Sequence, residues 1–161
     1  TQGESKRVLV TGAAKGIGAA IARLCIATGH RVVAADVDQA GLSNLERALP
    51  AVDTQILDVR DLAAWTHLVE DVEAREGPID VLINNAGIVR TDYLEQHSLE
   101  DYMAVVQVNQ VGVFLGMRAV VSAMREAGGG SIVNISSVAS SIAIQAVQVA
   151  SGRIGQYSPS W

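Results

Sequence analysis

Short apolar runs alternate with longer stretches in which apolar side chains recur every three or four residues. Runs that are apolar on both faces are typical of strands in a parallel sheet that is covered on both sides, and the longer stretches have the period of amphipathic helices. The pattern therefore predicts an α/β fold, a doubly wound parallel sheet of about five strands. The five predicted strands are residues 8–10, 31–35, 54–57, 79–83 and 132–135.

The ends of the predicted helices carry residues that suit helix termini. The first helix is expected over residues 17–28, with Gly29 as its C-terminal cap and an apolar face of Ile17, Ile21, Leu24 and Cys25. Polar side chains at the N-cap position accept hydrogen bonds from the first free N–H groups of a helix. We therefore expect caps at the start of the next three helices, the last of which ends near residue 128, and the capping residues are Asp38, Asp61 and Ser98.

A glycine-rich segment joins the first strand to the first helix. Gly12 allows a sharp turn off the strand, Gly16 allows a phosphate group to approach the backbone, and Gly18 allows the helix to pack close to the strand. The N-terminus of this helix then faces an anion, as in dinucleotide-binding folds. Loops rich in Gly and Ala often bind nothing, so on this segment alone a plain structural turn is an equal alternative.

The second strand ends at Asp36, about twenty residues after the glycine turn, where dinucleotide folds place the acid that binds the adenosine ribose. A carboxylate there favours NAD and repels the 2′-phosphate of NADP, and Val37 adds no cation to reverse this. NADP stays open as an alternative because of Lys15, which is either a ligand for the 2′-phosphate or a solvated loop lysine. The sequence therefore predicts NAD as the cofactor.

Composition narrows the class of protein. The 161 residues are 49% apolar, which is enough for the core of one domain, and the formal net charge of −5 argues against nucleic-acid and anionic-membrane partners. Residues 103–124 are apolar but interrupted by Gln107, Asn109, Gln110 and Arg118, so we expect a helix buried on one side and no membrane span. Cys25 is the one cysteine, and the first six residues have no apolar signal core. Both observations predict a cytoplasmic protein.

Several motifs occur in the order found in short-chain dehydrogenases/reductases, and the chain resembles this family, in particular its bacterial hydroxysteroid dehydrogenases. The motifs are the turn of residues 11–18, Asp36, the pair Asp58-Val59, the segment of residues 84–87, Asn109, and the strand that leads to Ser137. The resemblance implies a Rossmann fold, a homo-oligomer, and NAD-dependent interconversion of a secondary alcohol and a ketone, with a steroid or other cyclic substrate. It implies Ser137 and Asn109 as catalytic residues, with Tyr157 as the tyrosine available after them. It also implies the following cofactor residues: Gly12, Lys15, Gly16, Ile17, Gly18, Asp36, Val37, Asp58, Val59, Asn85, Ala86 and Gly87.

Without the resemblance, several of these residues have simpler explanations. Asn84 is suited to joining neighbouring strands, and Asn109 is more often structural, whereas the family uses it to hold a water and a local helix distortion. Ser136 and Ser137 are ordinary turn residues after a strand. The three histidines have no spacing suited to a metal.

The chain departs from the family pattern after about residue 144. The family has a tyrosine and, four residues later, a lysine on the next helix, but here those positions hold Ala150 and Ile154. The only lysines are Lys6 and Lys15, and Tyr157 is displaced. We therefore expect a dinucleotide-binding domain over residues 1–144, lacking the last strands of the family fold, and a divergent tail over residues 145–161. That tail has two explanations, a shifted frame or splice pattern and a natural short form. The functional alternative is a catalytically dead relative that binds only dinucleotide or a full-length partner.

Overall fold

The computed structural model describes residues 4–137, which form one parallel sheet with helices on both faces. The five strands lie in the order β3-β2-β1-β4-β5, which confirms the predicted doubly wound fold. The strands are β1 (Arg7–Thr11), β2 (Arg31–Asp36), β3 (Val52–Ile56), β4 (Val81–Asn84) and β5 (Ser131–Asn134). The helices are α1 (Gly16–Ala27), α2 (Gln39–Ala48), α3 (Leu62–Glu76), α4 (Leu99–Val106) and α5 (Gly112–Glu126), with a π-helical turn (Gln107–Val111) joining α4 to α5.

Two apolar clusters fill the space between the sheet and its helices. Alternate residues of β1 point to opposite faces, so Val8 and Val10 belong to one cluster while Leu9 belongs to the other. Helices α1 and α2 cover the first cluster, and α3 and α5 cover the second around the fully buried Trp65. Burial on both faces explains why the strands are apolar throughout.

The predicted caps are present at three helices. Asp38 accepts a hydrogen bond from the Gly41 N–H at α2, and Asp61 accepts from the backbone N–H groups of Ala63 and Ala64 at α3. Ser98 accepts from the Asp101 N–H at α4. No side chain caps α1, which begins directly after the glycine turn. Of the four helices in residues 4–137 that begin after a loop, α1 is therefore the one whose N-terminus no side chain caps.

The apolar face predicted for α1 is wrong in part. Ile17 and Leu24 are each 64% exposed, whereas the buried residues of this helix are Gly18, Ala19 and Ala22. Small residues occupy the buried face because α1 lies close to the sheet, which leaves no room for larger side chains there. Cys25 is half-buried against the apolar cluster that α1 and α2 cover, and burial raises the pKa of its thiol.

The helical stretch Leu99–Glu126 is long and apolar enough to be a candidate membrane span, with a mean hydropathy of 1.4 in its most apolar window. Length and composition are weak evidence here, because core helices of globular proteins meet the same criterion. Leu115, Val120 and Met124 of this stretch are buried against α3 and the sheet. One side of the stretch therefore packs on the core, while only 22% of its most apolar window is buried.

Candidate functional site

The glycine turn lies at the carboxyl end of β1, next to the segment that follows β4. Gly12 and Gly16 have φ of +64° and +57°, the left-handed region that glycine adopts at little cost. A Cβ at Gly12 would lie 2.8 Å from Ala86 Cα, and one at Gly18 would lie 2.2 Å from the Gly12 carbonyl oxygen. A Cβ at Gly16 would meet nothing within 4 Å. Gly12 and Gly18 thus permit close packing, while Gly16 faces open space.

Thr11 and Asn85 fasten this turn to the end of β4. The buried Thr11 Oγ1 accepts hydrogen bonds from the backbone N–H groups of Asn85 at 3.0 Å and Ala86 at 3.1 Å. In return, Asn85 Nδ2 donates to the carbonyl oxygens of Thr11 at 3.0 Å and Gly12 at 3.1 Å. The backbone of the turn is therefore held in place before any ligand is present.

The N-terminus of α1 has the electrostatic character of an anion site. Its N-cap residue Lys15 has an extended backbone and makes no capping hydrogen bond with its side chain, and the first turn contains no acidic residue. The unpaired N–H groups and the positive end of the helix dipole therefore remain available to a negatively charged group. Gly16, which begins the helix, leaves the approach to them open.

Asp36 lies at the end of β2 beside the turn and is half-buried. Its Oδ2 accepts a hydrogen bond from the Ala14 N–H at 2.9 Å, and its Oδ1 accepts from the Asp38 N–H at 3.0 Å. A carboxylate has about four acceptor positions, so both oxygens retain capacity for a further donor. Asp36 is thus placed to accept from a ligand hydroxyl while it also holds two backbone segments.

A cleft of about 580 Å³ opens over these elements at the carboxyl edge of the sheet, where ligands bind in open α/β folds. All the predicted cofactor residues except Gly16 and Gly18 line it. The remaining lining residues were not predicted from the sequence, and they are Asp38, Leu57, Arg60, Ile88, Arg90 and Val108. Arg60 directly follows the predicted site residue Val59, and Arg90 lies three residues after Gly87, so closeness along the chain could have indicated both.

Asp58 and Arg60 form an ion pair in the wall of this cleft. Arg60 Nη2 lies 2.6 Å from Asp58 Oδ2, Arg60 Nε lies 2.9 Å from Oδ1, and the Arg60 backbone N–H also donates to Oδ1. These hydrogen bonds hold the pKa of the Asp58 carboxyl below its usual range, and the same pairing raises the pKa of Arg60. Asp58 therefore carries its negative charge with most of its acceptor positions already in use.

Asn109 lies within the π-helical turn and binds the loop that follows β4. Its Oδ1 accepts from the Ile88 N–H at 2.9 Å, and its Nδ2 donates to the Ile88 carbonyl oxygen at 2.9 Å. The local helix distortion expected at this residue is present, while the side chain holds the backbone of Ile88 in the cleft wall. Asn109 thus fixes the position of a cleft-lining residue without lining the cleft itself.

Asn84 joins strands as predicted, because its Nδ2 donates to Asn134 Oδ1 at 2.9 Å. Ser137 lies three residues beyond β5, at the same edge of the sheet but outside the lining of the cleft. Tyr157, Ala150, Ile154 and the boundary at residue 144 lie outside the described residues. Within residues 4–137 no group of three or more His, Cys, Asp or Glu side chains is arranged to bind a metal ion.

Comparison with known families gives a match to the short chain dehydrogenase model over residues 6–151. The 3-alpha-(or 20-beta)-hydroxysteroid dehydrogenase of Mycobacterium tuberculosis is 42% identical over 134 residues, which are 83% of this chain and 52% of that protein. The D-threitol dehydrogenase of Mycolicibacterium smegmatis is 40% identical over 88% of this chain and 56% of its own length. The chain therefore spans about half the length of the curated relatives it matches.

Solved structures of such enzymes share the fold. A short-chain dehydrogenase from Streptomyces avermitilis matches with a TM-score of 0.78 and 36% identity, covering 84% of this chain and 50% of that one. The serine dehydrogenase of Escherichia coli matches with a TM-score of 0.79 and 36% identity, over 84% of this chain and 64% of its own. Sequence and structure thus lead to one family of oxidoreductases.

Proposed function

Because this chain belongs to the short chain dehydrogenase family, we propose that its cleft binds NAD and that its function is hydride transfer between this cofactor and a secondary alcohol or ketone. The observation that carries the proposal is the uncapped N-terminus of α1 beside the half-buried carboxylate of Asp36. The helix suits the pyrophosphate, and the carboxylate suits the free hydroxyls of the adenosine ribose. NAD supplies the hydride acceptor when it is bound.

Each further part of the cofactor has a matching group in the cleft. Val59 and the Asp58–Arg60 pair provide an apolar surface and a polar edge for the adenine ring. Asn85, Ala86 and Gly87 offer small side chains and backbone groups after β4, where a flat ring can lie close to the chain. Val37 is 64% exposed and presents no cation to a 2′-phosphate. Lys15 lines the cleft and is assigned to the phosphates that approach α1.

The substrate side of the proposal rests on the relatives. One is named a hydroxysteroid dehydrogenase and another a D-threitol dehydrogenase. The substrates in these names range from a cyclic apolar alcohol to a linear polyol. We assign a small-molecule alcohol or ketone, with a steroid or other cyclic compound as the first class to test. Ser137 and Asn109 take supporting roles, and Tyr157 is the tyrosine available as an acid or base.

The second candidate function is dinucleotide binding without turnover. Its support is the sequence itself, in which Ala150 and Ile154 stand where the family has its tyrosine and lysine. A positioned acid/base contributes typically ~10²–10⁴-fold in rate, so we expect at most trace oxidation of secondary alcohols by this chain with NAD. Robust oxidation that is lost in Tyr157→Phe would reject this candidate.

The chain is also proposed to be a cytoplasmic homo-oligomer. Met103, Phe114 and Val121 of the α4–α5 stretch are more than 40% exposed, which leaves apolar surface for association. Light scattering at several concentrations tests this, and a monomer at all of them would contradict it.

The cofactor assignment is tested by fluorescence titration with NADH and NADPH. We expect NADH to bind more tightly, because Asp36 accepts from the ribose hydroxyls and repels the 2′-phosphate. In Asp36→Ala the difference should narrow, since NADH loses a ligand group while NADPH loses a repulsive charge. Equal affinity of the unmodified chain for both cofactors would contradict the assignment.

A further inference from the structure

Asp36 holds two pieces of backbone that belong to different parts of the cleft. One is the glycine turn, through the Ala14 N–H at 2.9 Å, and the other is the segment leading into α2, through the Asp38 N–H at 3.0 Å. Hydrogen bonds to an ionised carboxylate are about twice as strong as those between neutral groups. The side chain is half-buried, which shields both bonds in part from water.

Ala14 is held in the turn by this hydrogen bond and by packing. It is buried, and it packs so closely on the start of α2 that a Cβ at Gly41 would lie 2.7 Å from the Ala14 Cβ. The preceding N–H, that of Ala13, donates to the Ala35 carbonyl oxygen at 3.2 Å. Two successive N–H groups of the turn therefore donate to two successive residues at the end of β2. Ala13 donates to the backbone of Ala35, and Ala14 donates to the side chain of Asp36.

We propose that Asp36 is a positioning residue for the phosphate-binding turn as well as a ligand for the ribose. The ribose part of this statement rests on the proposed function, whereas the positioning part concerns the chain without any ligand. One carboxylate then determines two subsites of the cleft. Its replacement weakens the binding of anions that never reach the ribose.

The charge of Asp36 and its positioning role predict opposite results for an anion. Removing a negative charge from the cleft favours anion binding, whereas releasing Ala14 loosens the turn and disfavours it. Asp38 offers a matched control because it is also half-buried and lines the same cleft, but its side chain caps α2. Asn caps helices as well as Asp does, so Asp38→Asn removes the same charge and keeps the cap.

Asp36→Ala is the informative variant. Its methyl group accepts from neither backbone N–H group, so the bond to Ala14 and the bond to Asp38 are both lost. In the chain without ligand, we expect hydrogen exchange at the Ala14 amide to be at least tenfold faster in Asp36→Ala than in Asp38→Asn, with the Leu9 amide of β1 unchanged. Equal exchange at Ala14 in the two variants would overturn the proposal.

Inorganic pyrophosphate is the probe for the second measurement, because it reaches the turn and carries no ribose. We expect Asp36→Ala to bind it at least fivefold more weakly than Asp38→Asn, and equal or tighter binding would overturn the proposal. If Asp36→Ala does not fold, the unmodified chain decides, since an Ala14 amide exchanging at the rate of an unfolded chain would overturn the proposal. Failure of NADH to bind would reject the proposed function and leave the exchange result standing.

Discussion

The N-termini of α1 and α3 lie at the same edge of the sheet but are completed in different ways. At α3, the Asp61 carboxylate accepts from the Ala63 N–H at 2.8 Å and the Ala64 N–H at 3.2 Å. At α1, Lys15 occupies the corresponding position in an extended conformation and supplies no such acceptor. The N–H groups at α3 are satisfied by the chain itself, whereas those at α1 are left for a ligand. The difference supports the proposal that α1 binds the anionic part of the cofactor.

The largest expected effect comes from the packing that brings α1 to the turn. In Gly18→Ala, the added Cβ would lie 2.2 Å from the Gly12 carbonyl oxygen and 2.6 Å from Asn85 Nδ2, so backbone has to move. We expect a loss of about 3 kcal/mol in the free energy of unfolding, measured by urea denaturation. Gly16→Ala is the control, and its loss should be about 1–2 kcal/mol because only its positive φ is strained.

A cap introduced at α1 should convert it into a helix like α3. Lys15→Asp places an acceptor at an N-cap position whose extended backbone already suits one. We expect the chain to become more stable by about 1 kcal/mol and the affinity for NADH to fall at least ~10-fold, because a carboxylate now takes the N–H groups and repels the phosphates. Lys15→Ala removes the cation alone, and an equal loss of affinity in that variant would show that capping is irrelevant.

Removing the cap of α3 should affect stability alone. In Asp61→Ala the Ala63 and Ala64 N–H groups lose their acceptor, which typically costs about 1 kcal/mol. Asp61 does not line the cleft, so the affinity for NADH should stay the same. Asp61→Asn should restore most of the stability, because Asn is an equally good cap. A change in NADH affinity in Asp61→Ala would mean that α3 also takes part in binding.

Local signals in the sequence predicted the fold and most of the cleft. The strands were recognisable from runs that are apolar on both faces, and Asp38, Asp61 and Ser98 cap the expected helices because their hydrogen bonds reach only two or three residues along the chain. The turn glycines could be predicted for a similar reason, since Gly12 and Gly16 adopt positive φ and Gly18 packs against Gly12, six residues before it.

Contacts between distant parts of the chain could not be read in this way. The bond from the Ala14 N–H to Asp36 joins residues 22 positions apart, and that between Asn109 and Ile88 joins residues 21 apart. The first follows from how β1 and β2 pair in the sheet, and the second from how the π-helical turn packs beside the loop after β4. No local pattern specifies either arrangement. The exposure of Ile17 was missed for a similar reason, since the period of α1 gives an apolar face but not the close approach of the helix to the sheet.

The proposed function requires the cofactor's phosphates to bind the open N-terminus of α1. The most direct measurement follows the backbone amide resonances of the unmodified chain as NADH is added. We predict saturable shifts at the Ile17 and Gly18 amides of α1 and no shift at Ala63 and Ala64, whose N–H groups Asp61 already holds. If NADH saturates the chain but leaves the resonances of the α1 amides unshifted, or shifts those at the N-termini of α1 and α3 equally, this binding mode is contradicted.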